Sequence, residues 1–342
     1  MPITRSFGNN FEVQDFTQEL LIIPNQYGLI QELGLFQEES VSNNTVVFEK
    51  IEKDGALIVD RVRGERAQVN KDYTRKIHSF PVPHFPYDDA ILPQDIQGKR
   101  AYGSFTDAEN LAAVRSRKME RIVQNHSWTL EFARAKAITT GDVYAPSGTV
   151  SQNWYTEFGI TQKSVDFLLG TATTEVLEKQ EEVVAHIQDN LGNGGNISGV
   201  IALCSPEFFA KLIKHPNVKL AYQYYTSTQE PLRRRLAADG VRSMRREFTH
   251  GDITYIEMRD TYAGQRLIPA GEVYYVPTGV EDMFKTFYGP ANKFEFVNTM
   301  GERAYMFEYP STKGDKIEIE TESNFINMVA RPQGVVKGVS ST

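Results

Sequence analysis

Residues 107–140 are DAENLAAVRSRKMERIVQNHSWTLEFARAKAITT, a segment with the pattern of one long helix and a buried face. Its apolar residues fall roughly on one side of such a helix: Leu111, Val114, Met119, Ile122, Leu130, Ala133 and Ala137. Residues 106–109, TDAE, match a capping box at the start, and Gly141 suits a C-terminal cap. An unbroken helix of about 34 residues is about 50 Å long, and a break near Arg117 is the alternative.

An apolar arm begins the chain. Residues 1–45 carry scattered apolar side chains around the helix breakers Pro24, Gly28 and Gly34. Only a short helix, within 27–36, is expected in this arm. Because exposing so many apolar side chains to water is unfavourable, we expect the arm to pack on the rest of its own chain or on a neighbouring molecule.

A charged, extended segment follows the arm. Residues 45–51 and 56–59 are β-prone, with a turn signal between them. Residues 60–76 are rich in charge and have too few apolar residues to build a core, so we predict a projecting hairpin. The prolines that end this extended segment, by removing donors from a strand ladder, are Pro81, Pro83 and Pro86.

The chain beyond the long helix alternates between helices and strands. A hairpin holding Trp154 and Phe158 is expected first, and then a helix from Thr173 to a glycine-rich stop at 192–195. A further helix begins at Ser205, the cap, followed by proline in its first turn. Strands are predicted at 200–203, 253–256, 273–277 and 316–320. The order of these parts predicts an α+β fold.

Composition excludes several classes of protein. The chain has 342 residues, enough for more than one lobe, with 40% hydrophobic and 24% charged residues. No apolar run reaches the roughly 18 residues of a membrane span, and an N-terminal signal segment is not expected. Cys204 is the only cysteine, so an intrachain disulfide is excluded and a reducing compartment is indicated. A net charge of −7 argues against a protein built mainly to bind nucleic acid.

The sequence contains little evidence for a catalytic or metal-binding site. The six histidines form neither a Cys/His pair nor a His-Glu-x-x-His arrangement, and His126 and His186 are interpreted as packing or surface residues. Cys204 follows an apolar strand and is interpreted as a buried residue instead of a nucleophile. The glycines at 192–195 follow a helix, which favours a helix stop over a phosphate-binding loop. We therefore predict no catalytic, cofactor-binding or metal site, and hence no enzyme.

The most unusual feature of the charge distribution is a cluster of basic residues. Fourteen residues, 233–246, hold six arginines and one acid, Asp239, a local charge of +5. Three interpretations are open: contact with nucleic-acid phosphates, docking onto carboxylates of a partner, or a solvated loop. Docking is favoured, since residues 295–322 carry seven acids against three basic residues. The predicted subunit-interface residues, in this cluster and in the projecting hairpin, are Arg61, Arg63, Arg66, Arg75, Arg233, Arg234, Arg235, Arg242, Arg245 and Arg246.

The order of these parts resembles the major capsid proteins of tailed double-stranded DNA phages, in the family of the lambda capsid protein. Four stretches carry the resemblance: Val46–Tyr73, the long helix ending in EFARA and TGD at 131–142, VIALCSPEFF at 200–209, and GEVYYVP at 271–277 leading through FYGP at 287–290 to the closing strand. The resemblance extends thinly over nearly the whole chain and has no sharp signature.

This resemblance implies the HK97-type capsid fold. The expected parts are an N-terminal arm at 1–45, an E-loop at 46–100, a P-domain at 101–175 with strands at 286–322, and an A-domain at 176–285 with a returning strand at 323–342. It also implies hexamers and pentamers that tile an icosahedral shell, assembled in the host cytoplasm, around double-stranded DNA bound without sequence specificity. Expected partners are further copies of the chain, a portal protein, and scaffold or decoration proteins, with no membrane. No removable scaffolding segment is expected ahead of the arm, and no covalent crosslink pair is identified.

Two alternative functions remain open at this point. One is an encapsulin-like compartment, which shares the fold and differs in its contents. The other is a soluble α/β enzyme whose site is unrecognised. An extended hairpin and an apolar arm both need a neighbour to cover exposed groups, which favours a shell of repeated copies.

Overall fold

The computed structural model describes residues 14–15, 20, 28–52, 74–97, 110–148, 152–191, 197–219, 222–223 and 245–341. Its α-helices are α1 (Leu29–Glu32), α2 (Leu111–Thr139), α3 (Trp154–Glu157), α4 (Val176–Leu191) and α5 (Pro206–Lys214). Short 3₁₀ turns lie at Pro93–Asp95, Phe294–Phe296 and Pro332–Gly334. No helix in these ranges is long and apolar enough to span a membrane.

The strands divide between the two halves of the chain. Those before α4 are β1 (Gln14–Asp15), β2 (Gln37–Ser40), β3 (Thr45–Glu52), β4 (Thr74–Pro81), β5 (His84–Pro86), β6 (Asp89–Ile91) and β7 (Ser164–Asp166). Those after it are β8 (Gly199–Cys204), β9 (Glu247–His250), β10 (Ile253–Glu257), β11 (Thr261–Tyr262), β12 (Gln265–Arg266), β13 (Glu272–Thr278), β14 (Phe284–Tyr288), β15 (Tyr305–Pro310), β16 (Ile317–Val329) and β17 (Val336–Val339). Helices and strands together confirm the predicted α+β class.

The long helix α2 runs without a break at Arg117. It begins later than predicted, because the Asn110 side chain accepts the Ala113 N–H at 2.8 Å and caps it. The expected capping box at 106–109 lies outside the described residues. Ile122 is buried, as the apolar spacing predicts, and it packs with Ile319 of β16.

A first sheet receives this face of α2. Its strand order is β1-β15-β16-β14-β2, and β5 and β6 also pair with β16. Leu130 of α2 packs against Tyr288 and Phe325 of this sheet. Strand β16 is continuous from Ile317 to Val329, so the division expected at residue 322 falls inside a strand.

A second sheet has the order β7-β17-β13-β8-β10-β9, in which β8 and β10 are parallel. The chain returns to this sheet through β17, where Val336 lies opposite Tyr275. The Ser205 side chain accepts the Phe208 N–H at 3.2 Å, confirming the predicted cap of α5. The helices α4 and α5 pack their apolar faces into the same core as the sheet.

The predicted hairpin around Trp154 is wrong, because this residue begins the short helix α3. The Asn153 side chain accepts the backbone N–H groups of Tyr155 and Thr156 at 2.9 and 3.1 Å. That pattern is an N-cap, and it closes a helical turn in place of a strand pair. The Trp154 ring is buried, and its Nε1 donates to the Asn327 carbonyl oxygen at 3.1 Å. The predicted strand at 56–59 and the glycine stop at 192–195 lie outside the described residues.

Candidate functional site

The histidine and cysteine side chains have core or local structural roles. His126 is buried, with Nε2 lying 3.1 Å from Thr321 Oγ1. Burial, together with the charge of Arg303, lowers the pKa of His126 to about 4, so the ring is neutral at pH 7. Cys204 is fully buried, and burial raises the pKa of its thiol. In the described part of the chain, no group of three or more His, Cys, Asp or Glu residues is arranged to hold a metal ion.

A two-stranded hairpin, β3 with β4, is anchored on the body by its inner face. The Phe48 ring lies 5.8 Å from that of Phe80 and 5.1 Å from that of Phe287. At its base, His78 Nδ1 lies 2.7 Å from Glu157 Oε1 of α3. These contacts hold the paired strands β3 and β4 on the body.

The outer face of this hairpin exposes apolar side chains. Val47 is 59% exposed and Ile77 is 70% exposed. Val47 lies opposite Ser79 and Glu49 lies opposite Ile77, so Val47 and Ile77 share one face as diagonal neighbours. Residues 53–73, which hold most of the predicted projecting segment, lie outside the described residues.

The loop between β14 and β15, residues 289–304, is held firmly on the first sheet. Gly289 N donates to the Asn324 carbonyl oxygen at 2.8 Å, and Gly301 N donates to that of Val41 at 3.0 Å. The Phe296 ring packs against Tyr305, with ring centres 5.1 Å apart. At position 301 a Cβ atom would lie 2.2 Å from the Tyr288 carbonyl oxygen, so only glycine allows this close approach.

This anchored loop nevertheless presents three apolar side chains to solvent, which we call the loop patch. Phe294 is 99% exposed, and Val297 and Met300 are each 60% exposed. Glu295 and Glu302 are exposed beside them. Aromatic residues and methionine are enriched at the centres of protein interfaces, so the loop patch has the composition of a contact surface.

Most of the acids predicted to face the arginines already have partners within the chain. Glu308 is 2.6 Å from Arg115, and Glu320 is 2.6 Å from Lys293. Within the described residues, Glu295 and Glu302 have no ion pair. The carboxylates left for a partner on this side of the molecule therefore include the two beside the loop patch.

The predicted interface arginines fall into three groups. Arg245 bridges Glu32 at 3.3 Å and Asp260 at 3.0 Å, and Arg246 forms an ion pair with Glu257 at 2.6 Å, all within one chain. Arg75 lies on β4, whose backbone alone is described at that position. The remaining members lie outside the described residues: Arg61, Arg63, Arg66, Arg233, Arg234, Arg235 and Arg242.

The loop patch was not predicted from the sequence. Its signal is present in the spacing of Phe294, Val297 and Met300 between two strands, where a connecting loop is expected to be polar. The exposure of Val47 and Ile77 had no comparable signal, because alternation within a strand does not tell which face is covered.

Comparison with known proteins identifies the family. Residues 12–340 match the family model described as Phage major capsid protein E. The major capsid protein of Pseudomonas phage KPP10 is 49% identical over 344 residues, covering 97% of this chain and 98% of the relative. That of Salmonella phage Felix O1 is 28% identical over 367 residues, covering 98% and 97%.

A solved structure extends the similarity to the fold. The capsid structure of cyanophage P-SCSP1u aligns with a TM-score of 0.51 at 9% identity, covering 94% of this chain and 90% of that one. This similarity confirms the HK97-type fold predicted from the sequence. Both the family model and the two relatives span nearly the whole chain, and the chain belongs to the phage major capsid protein E family.

Proposed function

We propose that this chain builds the shell of a phage head by assembling into hexamers and pentamers around double-stranded DNA. Its role is structural, as in the capsid proteins to which it is related, and it acts as part of the virion. The observation that carries the proposal is the loop patch, an exposed apolar surface on a loop that is fixed to the first sheet. Neither an enzyme nor an encapsulin-like compartment is favoured by the full-length relatives.

The occupant proposed for the loop patch is a second copy of this chain. A monomer gains nothing from holding a fully exposed Phe294 in a fixed position, because the ring is then unfavourably hydrated. A repeated neighbour removes that surface from water at every contact. Self-association is the common property of capsid proteins, so the same surface is buried many times in one particle.

The surface that fits the loop patch is the outer face of a neighbour's hairpin. That face offers Val47 and Ile77, and the segment beyond it contains Arg61, Arg63 and Arg66. The apolar side chains of the two surfaces then contact each other, and the arginines form ion pairs with the carboxylates beside the loop patch. Because the two contacting surfaces differ, the contact is head-to-tail, and a head-to-tail contact repeated by rotation closes a ring.

The arginine cluster is assigned to a second contact between copies. Arg245 and Arg246 already bind carboxylates of their own chain, so Arg233, Arg234, Arg235 and Arg242 remain as the intermolecular candidates. Their proposed partners are acids of the adjacent copy, since a guanidinium binds a carboxylate in a fixed orientation.

The remaining proposals concern partners and the division of the chain. A portal protein, decoration proteins and a separate scaffold are proposed partners, with assembly in the host cytoplasm. DNA is proposed to be enclosed without sequence-specific contacts, in keeping with the net charge of −7. The arm, E-loop, P-domain and A-domain boundaries stay as predicted, except that β16 keeps residues 323–329 in the first sheet.

Replacing Phe294, Val297 and Met300 with serine tests the role of the loop patch. The variant should stay folded, because all three side chains are exposed, and should need at least about tenfold more protein to form shells. Light scattering across a concentration series measures that threshold. The control is Leu177→Ser on α4, a leucine that is 49% exposed and outside both proposed surfaces. Equal thresholds for the two variants would exclude the loop patch from assembly.

A charge exchange tests the proposed pairing with the hairpin. Glu295→Lys with Glu302→Lys should reduce the yield of shells several-fold, because the new lysines repel the arginines of the neighbour. Adding Arg63→Glu and Arg66→Glu should restore part of that yield, as measured by sedimentation. If Arg63→Glu and Arg66→Glu lower the yield of shells further, this pairing is contradicted. That result would not argue against a shell function.

A further inference from the structure

The short helix α1 is capped by a residue from another helix. Its own N-cap is Gly28, which has no side chain to accept a hydrogen bond. Glu131 of α2 supplies the acceptors instead, with Oε1 2.7 Å from Ile30 N and Oε2 3.2 Å from Gln31 N. A four-residue helix has no stability of its own, so this contact with α2 helps to define α1.

The residues in and around α1 allow the close contact with Glu131. A Cβ atom at Gly28 would lie 2.2 Å from Glu131 Oε1, so glycine is needed for the carboxylate to approach the helix end. Leu29 and Ile30, just beyond, are buried in the main core. At the other end of α1, Gly34 has a φ of +62° and open space around it, which lets the chain turn into β2.

A cluster of charges with an excess of acid surrounds Glu131. Arg134, from the same helix and only 1% exposed, donates to Glu38 at 2.8 Å and to Thr286 at 3.0 Å. Arg245 bridges Glu32 of α1 and Asp260. The charged groups facing this junction from α1, β2, α2, the loop at 289–304 and the second sheet are Glu32, Glu38, Glu131, Arg134, Arg245, Asp260 and, near Glu38, Arg303, with Tyr262 also near Glu131. Four carboxylates thus share three guanidinium groups.

Glu131 binds a proton near neutral pH. Burial raises the pKa of Glu131 to about 7, outweighing the backbone donors and Arg134, and Asp260 adds to the rise. Burial also acts to raise the pKa of Glu38, but its hydrogen bond and ion pair with Arg134 outweigh that effect and hold it below its ordinary value. The two neighbouring acids therefore behave differently although they share one arginine.

We propose that Glu131 is a proton-controlled latch that sets how firmly α1 docks on α2. Protonation of Glu131 removes one negative charge from the acid-rich junction and leaves a carbonyl oxygen to accept one backbone N–H. When α1 leaves, Glu131 becomes exposed to water and its carboxyl returns to its ordinary acidity. The latch goes beyond a structural role in the shell, because it makes the docking of α1 on α2 depend on pH.

The direction of the effect follows from proton linkage. The pKa of Glu131 is about 7 when α1 is docked, against an ordinary value of 4.5 when it is open. Docking of α1 is therefore accompanied by binding of a proton to Glu131. It is strongest at a pH below 4.5, the ordinary pKa of this carboxyl, and weakens as the pH rises through about 7. Between pH 6.0 and 8.5 the docking equilibrium should weaken by about tenfold.

Hydrogen exchange at the amides of Ile30 and Gln31 measures this equilibrium in the full chain. After correction for the intrinsic exchange rate at each pH, their protection factors should fall about tenfold from pH 6.0 to 8.5, relative to the amides of α4. In Glu131→Gln, which stays neutral, the protection should be independent of pH over this range. The α4 amides report any change in the stability of the whole chain.

Glu322→Gln provides the matched control. Glu322 is also buried and accepts a backbone N–H, that of Asn292 at 2.7 Å, and it does not contact α1. This variant should keep the pH dependence of the wild-type chain. Equal protection at both pH values in the wild type, or the same fall in Glu131→Gln, would overturn the latch. The wild-type profile decides the question even if a variant fails to fold, and neither result depends on whether shells form.

Discussion

Leu130→Asp is expected to yield insoluble protein. Leu130 is buried between α2 and the first sheet, where it packs with Ala133, Tyr288 and Phe325. An aspartate at this position leaves an unpaired charge in an apolar cluster and removes a packed side chain, at a cost on the order of 4 kcal/mol or more. That cost is a large fraction of the stability of an ordinary domain. The soluble fraction after expression and centrifugation measures the effect.

The matched control is Leu177→Asp, the same change at a half-exposed leucine on α4. It should remain soluble, because its new charge is hydrated. Soluble Leu130→Asp protein that still forms shells would mean that α2 does not pack through this face.

Deletion of residues 61–73 is expected to abolish closed shells and leave a folded, soluble chain. This segment carries Arg61, Arg63 and Arg66 and has few apolar residues, so its removal takes little from a core. The β3–β4 ladder, from Thr45 opposite Pro81 to Glu52 opposite Thr74, lies outside the deletion. The missing interactions are those proposed with the neighbouring copy.

Circular dichroism and electron microscopy together measure this outcome. The deleted chain should keep the far-ultraviolet spectrum of the full chain and form no closed particles. Replacing the same residues with glycine and serine separates the effect of chain length from that of the arginines. If the deletion variant forms normal shells, residues 61–73 do not take part in the contacts needed for assembly.

Elements with strong local signals were predicted well from the sequence. The apolar spacing of α2 identified Ile122 and Leu130 as buried, and both pack on the first sheet. Ser205 and the proline after it marked the start of α5, because the cap and the first turn are formed by adjacent residues. These features depend on residues close together in the chain, and the sequence displays them directly.

Features that depend on distant residues were not predictable. Two local caps were also missed, Asn110 at the start of α2 and Asn153 at the start of α3, because several polar residues nearby were equally plausible caps. Arg245 finds its carboxylate partners on α1 and after β10, and no pattern in the chain announces such a pairing. The contact of Glu131 with the end of α1 joins residues about a hundred positions apart, so only the folded chain displays it.

The central claim is that this chain forms the shell of a phage head. Electron microscopy of the particles formed when the full-length chain is expressed with the other head proteins tests it directly. We expect closed icosahedral shells whose hexamers and pentamers are made of this chain, with the hairpin of one copy on the loop patch of the next. Preparations in which the chain occurs only as small soluble oligomers, and is missing from the shell wall, would contradict it.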